Sequence, residues 1–265
     1  MKKFLVIGNP IEHSLSPKLH NYWIRSNNLD AFYDKKKLNI FELKNLFQDV
    51  REKKIDGVNV TVPFKNSVIP FLDKLSSEAE KTQSVNTIYL KDDMVMGHNT
   101  DIMGFELAIQ NTKYNVDGKK VLLLGAGGVS PSIIVALNKM NAKKIIISNR
   151  TLQKAENLRK TFSKLEIIEW GIIPDFDMII NATSLGLKNN ENIGLNYSKI
   201  VSGKFFYDVI YNPSETNFLK FAKRNGNKIE NGKKMFVYQA AEAFKLWHGI
   251  HPEINSKIFK FLDHD

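Results

Sequence analysis

Three glycines raise the first chemical question. In VLLLGAGGVSPS (Val121 to Ser132) an apolar run ends in Gly125, Gly127 and Gly128, and a helical pattern follows. That order suits a backbone that turns sharply and approaches a pyrophosphate, whose charge the N-terminus of the next helix stabilises. The third glycine of the dinucleotide fingerprint is replaced by Ser130, small enough for close helix packing. Pro131 comes next and is compatible with a helix start, because the N–H it lacks has no intrahelical partner in the first turn. A glycine loop alone fits a tight turn as well as a nucleotide site.

The following strand separates the two. After IIIS (Ile145 to Ser148) come Asn149 and Arg150, with Lys154 one turn on. Domains that prefer NAD place an acidic residue about 20 residues beyond the loop to hold the ribose 2′-hydroxyl. A planar guanidinium there suits a 2′-phosphate instead, and a carboxylate would repel it. The plainer alternative is a solvent-facing loop arginine; the position favours an NADP loop.

These groups need elements to hold them. From Gly118 to about Ile229, VLLL, IIIS, MII (Met178 to Ile180) and FFYDVI (Phe205 to Ile210) read as buried strands, apolar on both faces. SIIVALNKM between the first two carries Ile133, Ile134, Leu137 and Met140 on one helical stripe, completing the crossover unit of a doubly wound sheet. Earlier, FLVIG and GVNVTV (Gly57 to Val62) read as strands, and NTIYL with MVMGHN as a hairpin turning at Lys91 to Asp93. Ser16-Pro17 reads as a cap and first-turn proline opening a helix through about Ser26. A hinge is expected near Asp101 to Phe105, and the segment from Tyr238 onward, with Phe244, Trp247 and Ile250, as a helix returning to the first domain. The expected fold is α/β: residues 1–101 plus 238–265 form a substrate-binding domain, residues 102–237 a Rossmann-type doubly wound domain, with a cleft between them.

Composition narrows the function. The 265 residues include no cysteine, which excludes disulfides, thiolate metal sites and a cysteine nucleophile. Asn9-Pro10 ends the first apolar run too early for a signal peptide, and no apolar stretch approaches the roughly 20 residues that span a bilayer. A cytoplasmic enzyme is expected. The net charge of +10 is spread over scattered lysine pairs and one triplet, Lys35 to Lys37. It forms no basic tail and reads as a solvated surface that draws in small anions rather than nucleic acid.

Eight stretches then act together: SLSP (Ser14 to Pro17), NVTVPFK (Asn59 to Lys65), VNT (Val85 to Thr87), GHNTD (Gly97 to Asp101), GAGG, NRT, NATSLG and YDVIYNP. In this order, and with Gly232, Met235 and Gln239 near the end, the chain resembles the shikimate dehydrogenase family over nearly its whole length. The resemblance implies NADPH-dependent reversible reduction of 3-dehydroshikimate to shikimate, in the shikimate pathway of aromatic amino-acid biosynthesis. NADP(H) is then the cofactor and a small molecule the substrate, with no metal, nucleic-acid or membrane partner and a homodimer as the candidate assembly.

The same resemblance assigns residues. Lys65 and Asp101 match the catalytic pair: reduction builds an alkoxide, which an ammonium stabilises and protonates while a carboxylate orients it. Ser14, Ser16 and Tyr211 match hydroxyls around the substrate carboxylate. Asn59, Thr61, Asn86, Asp101 and Gln239 match positions that sort ring hydroxyls. On the cofactor side the matches are Gly125, Ala126, Gly127, Gly128 and Val129, then Asn149, Arg150, Thr151 and Lys154, then Thr183, Ser184, Val209 and Gly232. The chain departs from the family pattern at Pro131, Ile102 and Ser84, none of which touches the core chemistry. Rival expectations are a dehydrogenase that also takes quinate, an NADP-linked folate dehydrogenase, which gives no reason for SLSP, and a non-catalytic homologue, which would be expected to lose Lys65 or Asp101.

Overall fold

The computed structural model describes residues 1–188, 191–197 and 200–263. The chain divides into two compact units, Met1–Gly104 with Val237–Asp265, and Phe105–Phe236.

In the first unit β1 (Lys2–Gly8), α1 (Ser16–Ser26), β2 (Ala31–Lys37), α2 (Leu43–Arg51) and β3 (Gly57–Val60) come first. Then follow β4 (Lys74–Leu75), α3 (Ser77–Thr82), β5 (Thr87–Lys91) and β6 (Met94–His98). The strands form one sheet in the order β2-β1-β3-β5-β6-β4. It is mixed: β1 runs parallel to β2 and β3, whereas β5 is antiparallel to both β3 and β6. Asp92 and Asp93 turn the β5–β6 hairpin with φ of 52° and 58°, the left-handed values a two-residue turn of this hand requires. One face of the sheet packs on the apolar stripe Leu43, Leu46, Phe47 and Val50 of α2.

Helix α4 (Asp101–Asn111) starts in the first unit. The stretch expected as a hinge, Asp101 to Phe105, is therefore its first turn. The second unit holds β7 (Lys120–Leu124), α5 (Ser130–Lys139), β8 (Lys144–Ser148), α6 (Leu152–Thr161), β9 (Glu166–Ile168) and β10 (Met178–Asn181). It is completed by β11 (Phe205–Asp208), α7 (Asn217–Arg224) and β12 (Lys228–Glu230). Every strand pair in it is parallel, in the order β12-β11-β10-β7-β8-β9. Counted from β7, this is the 3-2-1-4-5-6 order of a doubly wound dinucleotide fold, with its switch point between β7 and β10. The central strands β7, β10 and β11 are buried along almost their whole length, as a sheet covered on both faces demands.

Helix α8 (Lys233–His248) carries the chain back into the first unit, and α9 (Ser256–Asp263) ends it. Trp247 of α8 donates its indole N–H to the Ile88 carbonyl of β5 at 3.1 Å. The helix expected from Tyr238 onward begins five residues earlier, at Lys233, so Gln239 lies well inside α8. Among the described residues, no helix is long and apolar enough to cross a membrane.

Candidate active site

In the first unit the site is a set of polar side chains bonded to one another. Lys65 follows β3 and Asp101 begins α4, where an acidic residue suits the helix dipole. The Lys65 ammonium donates to Asp101 Oδ2 at 2.6 Å, with both side chains about nine-tenths buried. Asn99 sets the position of Asp101: its Oδ1 accepts the Asp101 and Ile102 N–H groups, while its Nδ2 is tied to the Ser84 carbonyl. Asn86 Nδ2 donates to the other carboxylate oxygen of Asp101 at 3.0 Å, to Thr100 Oγ1 at 2.9 Å and to Gln239 Oε1 at 3.4 Å. Asn86 Oδ1 accepts from the Thr100 N–H and the Thr87 hydroxyl.

Asn59 continues this chain across the sheet. Its Nδ2 donates to the Asn86 carbonyl at 3.0 Å and to Thr87 Oγ1 at 3.1 Å, and its Oδ1 accepts the Tyr33 hydroxyl at 2.7 Å. Burial pushes the Tyr33 phenol far up, against a hydrogen bond with Ser16 that pulls it the other way. The Tyr33 ring stacks on His20 at 4.2 Å, and burial holds that imidazole down to about 3. Tyr33, Thr87, Asn99 and Thr100 are absent from the sequence-based residue set. Thr87, Asn99 and Thr100 lie inside the VNT and GHNTD stretches without having been assigned a role there, whereas Tyr33 reaches the site by tertiary contact alone.

Ser14 and Ser16 flank the start of α1, but not as expected. The helix cap is Leu15, without a side-chain bond, and it is Ser14 Oγ that accepts the Ser16 N–H at 3.3 Å. Ser16 is the first helical residue, so its hydroxyl is not spent on capping. Thr61 lies just past β3, its strand ending at Val60, and is half-buried; its backbone N–H is held by the Ile7 carbonyl. Tyr211 belongs to the second unit, where its ring stacks on Phe236 at 4.8 Å.

The second unit gathers the glycine loop at the carboxyl ends of β7, β8, β10 and β11. Gly125 has φ of +104°, and a Cβ there would lie 2.9 Å from the Ala182 carbonyl oxygen, so both conformation and space require glycine. Ser130 replaces the third fingerprint glycine with a clasp: its hydroxyl donates to the Gly125 carbonyl at 2.9 Å and accepts the Gly127 N–H at 3.1 Å. Asn149 Oδ1 accepts the Ala126 N–H at 2.9 Å, joining the loop to the end of β8. Gly128 and Val129 lead directly into α5. Arg150, Thr151 and Lys154 are exposed around the start of α6, and neither cation has a carboxylate partner among the described residues. Two uncommitted cations at this strand end fit a 2′-phosphate. Thr183 donates to Asn181 Oδ1 at 2.7 Å and Ser184 follows it in the β10 loop. A Cβ on Gly232 would lie 2.0 Å from the Val209 carbonyl oxygen, so these two backbones touch only because residue 232 is glycine.

A glycine-loop parallel sheet in one unit and a buried lysine–carboxylate pair in the other are the parts of a pyridine-nucleotide oxidoreductase. Family models agree: residues 6–88 match the shikimate dehydrogenase substrate binding domain, 106–192 match shikimate / quinate 5-dehydrogenase, and 234–255 match the shikimate 5'-dehydrogenase C-terminal domain. A shikimate dehydrogenase (NADP(+)) of Pelagibacter ubique is 58% identical over 99% of both chains. The crystal structure of shikimate dehydrogenase from Aquifex aeolicus has a TM-score of 0.92 at 37% identity, covering 100% of this chain and 98% of that one. The Thermus thermophilus enzyme, solved with NADP(H) and shikimate, has a TM-score of 0.90 at 31% identity over 99% of both chains. The chain belongs to the shikimate dehydrogenase family.

Proposed function

We propose that this chain catalyses the NADPH-dependent reversible reduction of 3-dehydroshikimate to shikimate, as a step of aromatic amino-acid biosynthesis. The observation that carries the proposal is the buried Lys65–Asp101 pair at 2.6 Å, bonded onward to Asn86 and through it to Gln239 and Asn59. NADPH supplies the hydride. Lys65 meets the negative charge that then grows on the substrate oxygen and delivers the proton, while Asp101 fixes the ammonium in place. A lysine suits this task because it can release a proton, which an arginine does far more reluctantly.

Binding divides by chemistry. Ser14, Ser16 and Tyr211 take the carboxylate, and Asn59, Thr61, Asn86, Asp101 and Gln239 take the ring hydroxyls. Gly125 to Val129 take the pyrophosphate, with Asn149, Arg150, Thr151 and Lys154 around the adenosine ribose and its 2′-phosphate. Val209 and Gly232 serve the nicotinamide end, and Thr183 and Ser184 serve the cofactor at the carboxyl edge of the sheet. Residues 1–101 with 238–265 thus serve as the substrate domain and residues 102–237 as the NADP domain. The enzyme works in the cytoplasm as a homodimer, an assembly read directly by sedimentation.

The test is nicotinamide absorbance with shikimate and quinate, each offered with NADP and NAD. Turnover is expected with shikimate and NADP far above the other three combinations. Comparable rates with quinate would replace the proposal by a broader polyol dehydrogenase.

A further inference from the structure

NATSLG begins with, and YDVIYNP holds at its second position, a fully buried polar side chain that the reaction above leaves unused: Asn181 at the end of β10 and Asp208 at the end of β11. Asp208 is 0% exposed, yet three donors converge on it. Its Oδ1 accepts Asn181 Nδ2 and the Ile210 N–H, each at 3.0 Å, and its Oδ2 accepts the Thr216 hydroxyl at 2.6 Å. The two loops tied together in this way are the one after β10, with Thr183 and Ser184, and the one after β11, with Val209 and Tyr211.

The carboxylate also sets polarity. An acceptor on both oxygens forces Asn181 to turn its Nδ2 inward, where it also reaches the Leu185 carbonyl at 3.1 Å. Asn181 Oδ1 therefore faces Thr183, accepting its N–H at 3.1 Å and its hydroxyl at 2.7 Å. Thr216 in turn caps α7 through the Leu219 N–H. One buried charge thus orders both loops at the carboxyl edge of the sheet, where ligands of this fold bind.

We propose that Asp208 is a positioning residue for the cofactor: its ionised carboxylate holds the β10 and β11 loops in the arrangement that binds NADP(H). The proposal rests on the reading above that Thr183, Ser184 and Val209 face the cofactor. Burial pushes the Asp208 carboxyl up to about 6, against the three hydrogen bonds that pull it down. Other titratable or charged groups nearby do not confuse this. Tyr207 and Tyr197, which feel its charge, are both pushed up and stay neutral, Tyr197 to about 12. Glu230 on β12 is paired with Lys234 at 2.9 Å, and Glu215 with Lys223 at 2.8 Å.

Asp208→Asn removes the charge and keeps the shape. Its Oδ1 can still accept Asn181 and Ile210, and its Nδ2 can donate to Thr216 in a bond of reversed direction, so the charge is lost while both loops keep a partner at residue 208. The experiment is NADPH affinity by fluorescence titration for wild type and Asp208→Asn, at about pH 8 and about pH 5, with a melting curve at each. At about pH 8 the variant should bind NADPH about tenfold more weakly, the difference between charged and neutral hydrogen bonds. At about pH 5 the wild-type carboxyl is protonated, so the ratio should fall toward one; titration of the 2′-phosphate affects both proteins and cancels.

Stability should move the other way. The folded carboxyl keeps its proton up to about 6, whereas an unfolded one loses it near about 4. Its contribution to stability is therefore present below that window and lost as the pH rises through it. The variant should accordingly melt no lower than wild type at about pH 8. A ratio near one at both pH values overturns the proposal, as does a pH-independent ratio or a lower melting point with matching loss of all kinetic constants. Wild type that binds no NADPH would instead defeat the cofactor reading itself, and the proposal with it.

Discussion

The two units solve the problem of holding polar groups in opposite ways. In the first, side chains hold side chains: Tyr33, Asn59, Thr87, Asn86, Thr100, Asp101 and Lys65 form one buried chain of hydrogen bonds. In the second, the loop backbone is held by single small residues, Ser130 and Asn149, while the cations Arg150 and Lys154 stand exposed. A small ring bearing several hydroxyls needs a rigid polar cast, because each hydroxyl must meet one defined partner and an unpaired buried group costs about 1–3 kcal/mol. A dinucleotide carries its own charges, which can be met by a helix terminus and flexible cations at the rim.

This contrast ranks the consequences of mutation. The largest is at Lys65. Alanine there would strand the buried Asp101 charge, which can cost about 3–5 kcal/mol of stability, so Lys65→Gln, which can still donate to Asp101, is the cleaner probe. Its turnover number should fall about 10²–10⁴-fold with shikimate binding less affected, and Lys65→Arg should not restore it. Asp101→Asn should harm turnover and binding together. Wild-type turnover in Lys65→Gln would make Lys65 a binding residue only.

Next come the serines. Ser16→Ala should raise the Michaelis constant for shikimate by the loss of one hydrogen bond to a charged group, about 1.5–3 kcal/mol, with Ser14→Ala in the same direction. Steady-state kinetics with both variants intact and the constant unchanged would reduce them to fold residues.

Arg150→Ala should act more gently, about tenfold on NADP and little on NAD, because an exposed cation is screened. Raising the salt should narrow the gap between wild type and variant. An equal effect on both cofactors would detach Arg150 from the 2′-phosphate.

The smallest effect is on stability alone. His20 sits buried with no partner on either ring nitrogen among the described residues, and burial holds it down to about 3, with His248 nearby adding to the shift. An unfolded histidine takes up its proton below about 6.5, so the stabilisation is complete above that value and is lost as the pH falls toward the folded value. Urea midpoints should therefore decline from neutral to acidic pH, with a shallower decline in His20→Phe; parallel declines would assign the slope to other groups.

What could be read from the chain follows the same divide. Strands β7, β8, β10 and β11 announce themselves as apolar runs, and the glycine loop between β7 and α5 is legible from local residues alone. β2 does not: in AFYDKKK only Tyr33 is buried, and its lysines mark an edge strand rather than an alternating face. The stripe Leu43, Leu46, Phe47 and Val50 carries a clear helical period, so α2 is legible in the sequence. In the candidate site, Lys65, Asp101 and Asn86 are legible through motifs. Of the partners that orient them, Thr87 and Asn99 lie within the same stretches, whereas Tyr33 is brought in by the pairing of β2 with β1, which no local pattern records. Ser16 reads as a cap yet stands one residue inside the helix, because Ser-Pro at a helix start has the same local form in both cases.

The proposed reaction is a single hydride transfer from NADPH to 3-dehydroshikimate. NADPH deuterated at the transferable position of its nicotinamide should be mixed with 3-dehydroshikimate and the protein, and the product examined by mass spectrometry. Shikimate carrying deuterium on its newly reduced carbon is the predicted result. Recovery of unreduced 3-dehydroshikimate, with the labelled NADPH untouched, would contradict it.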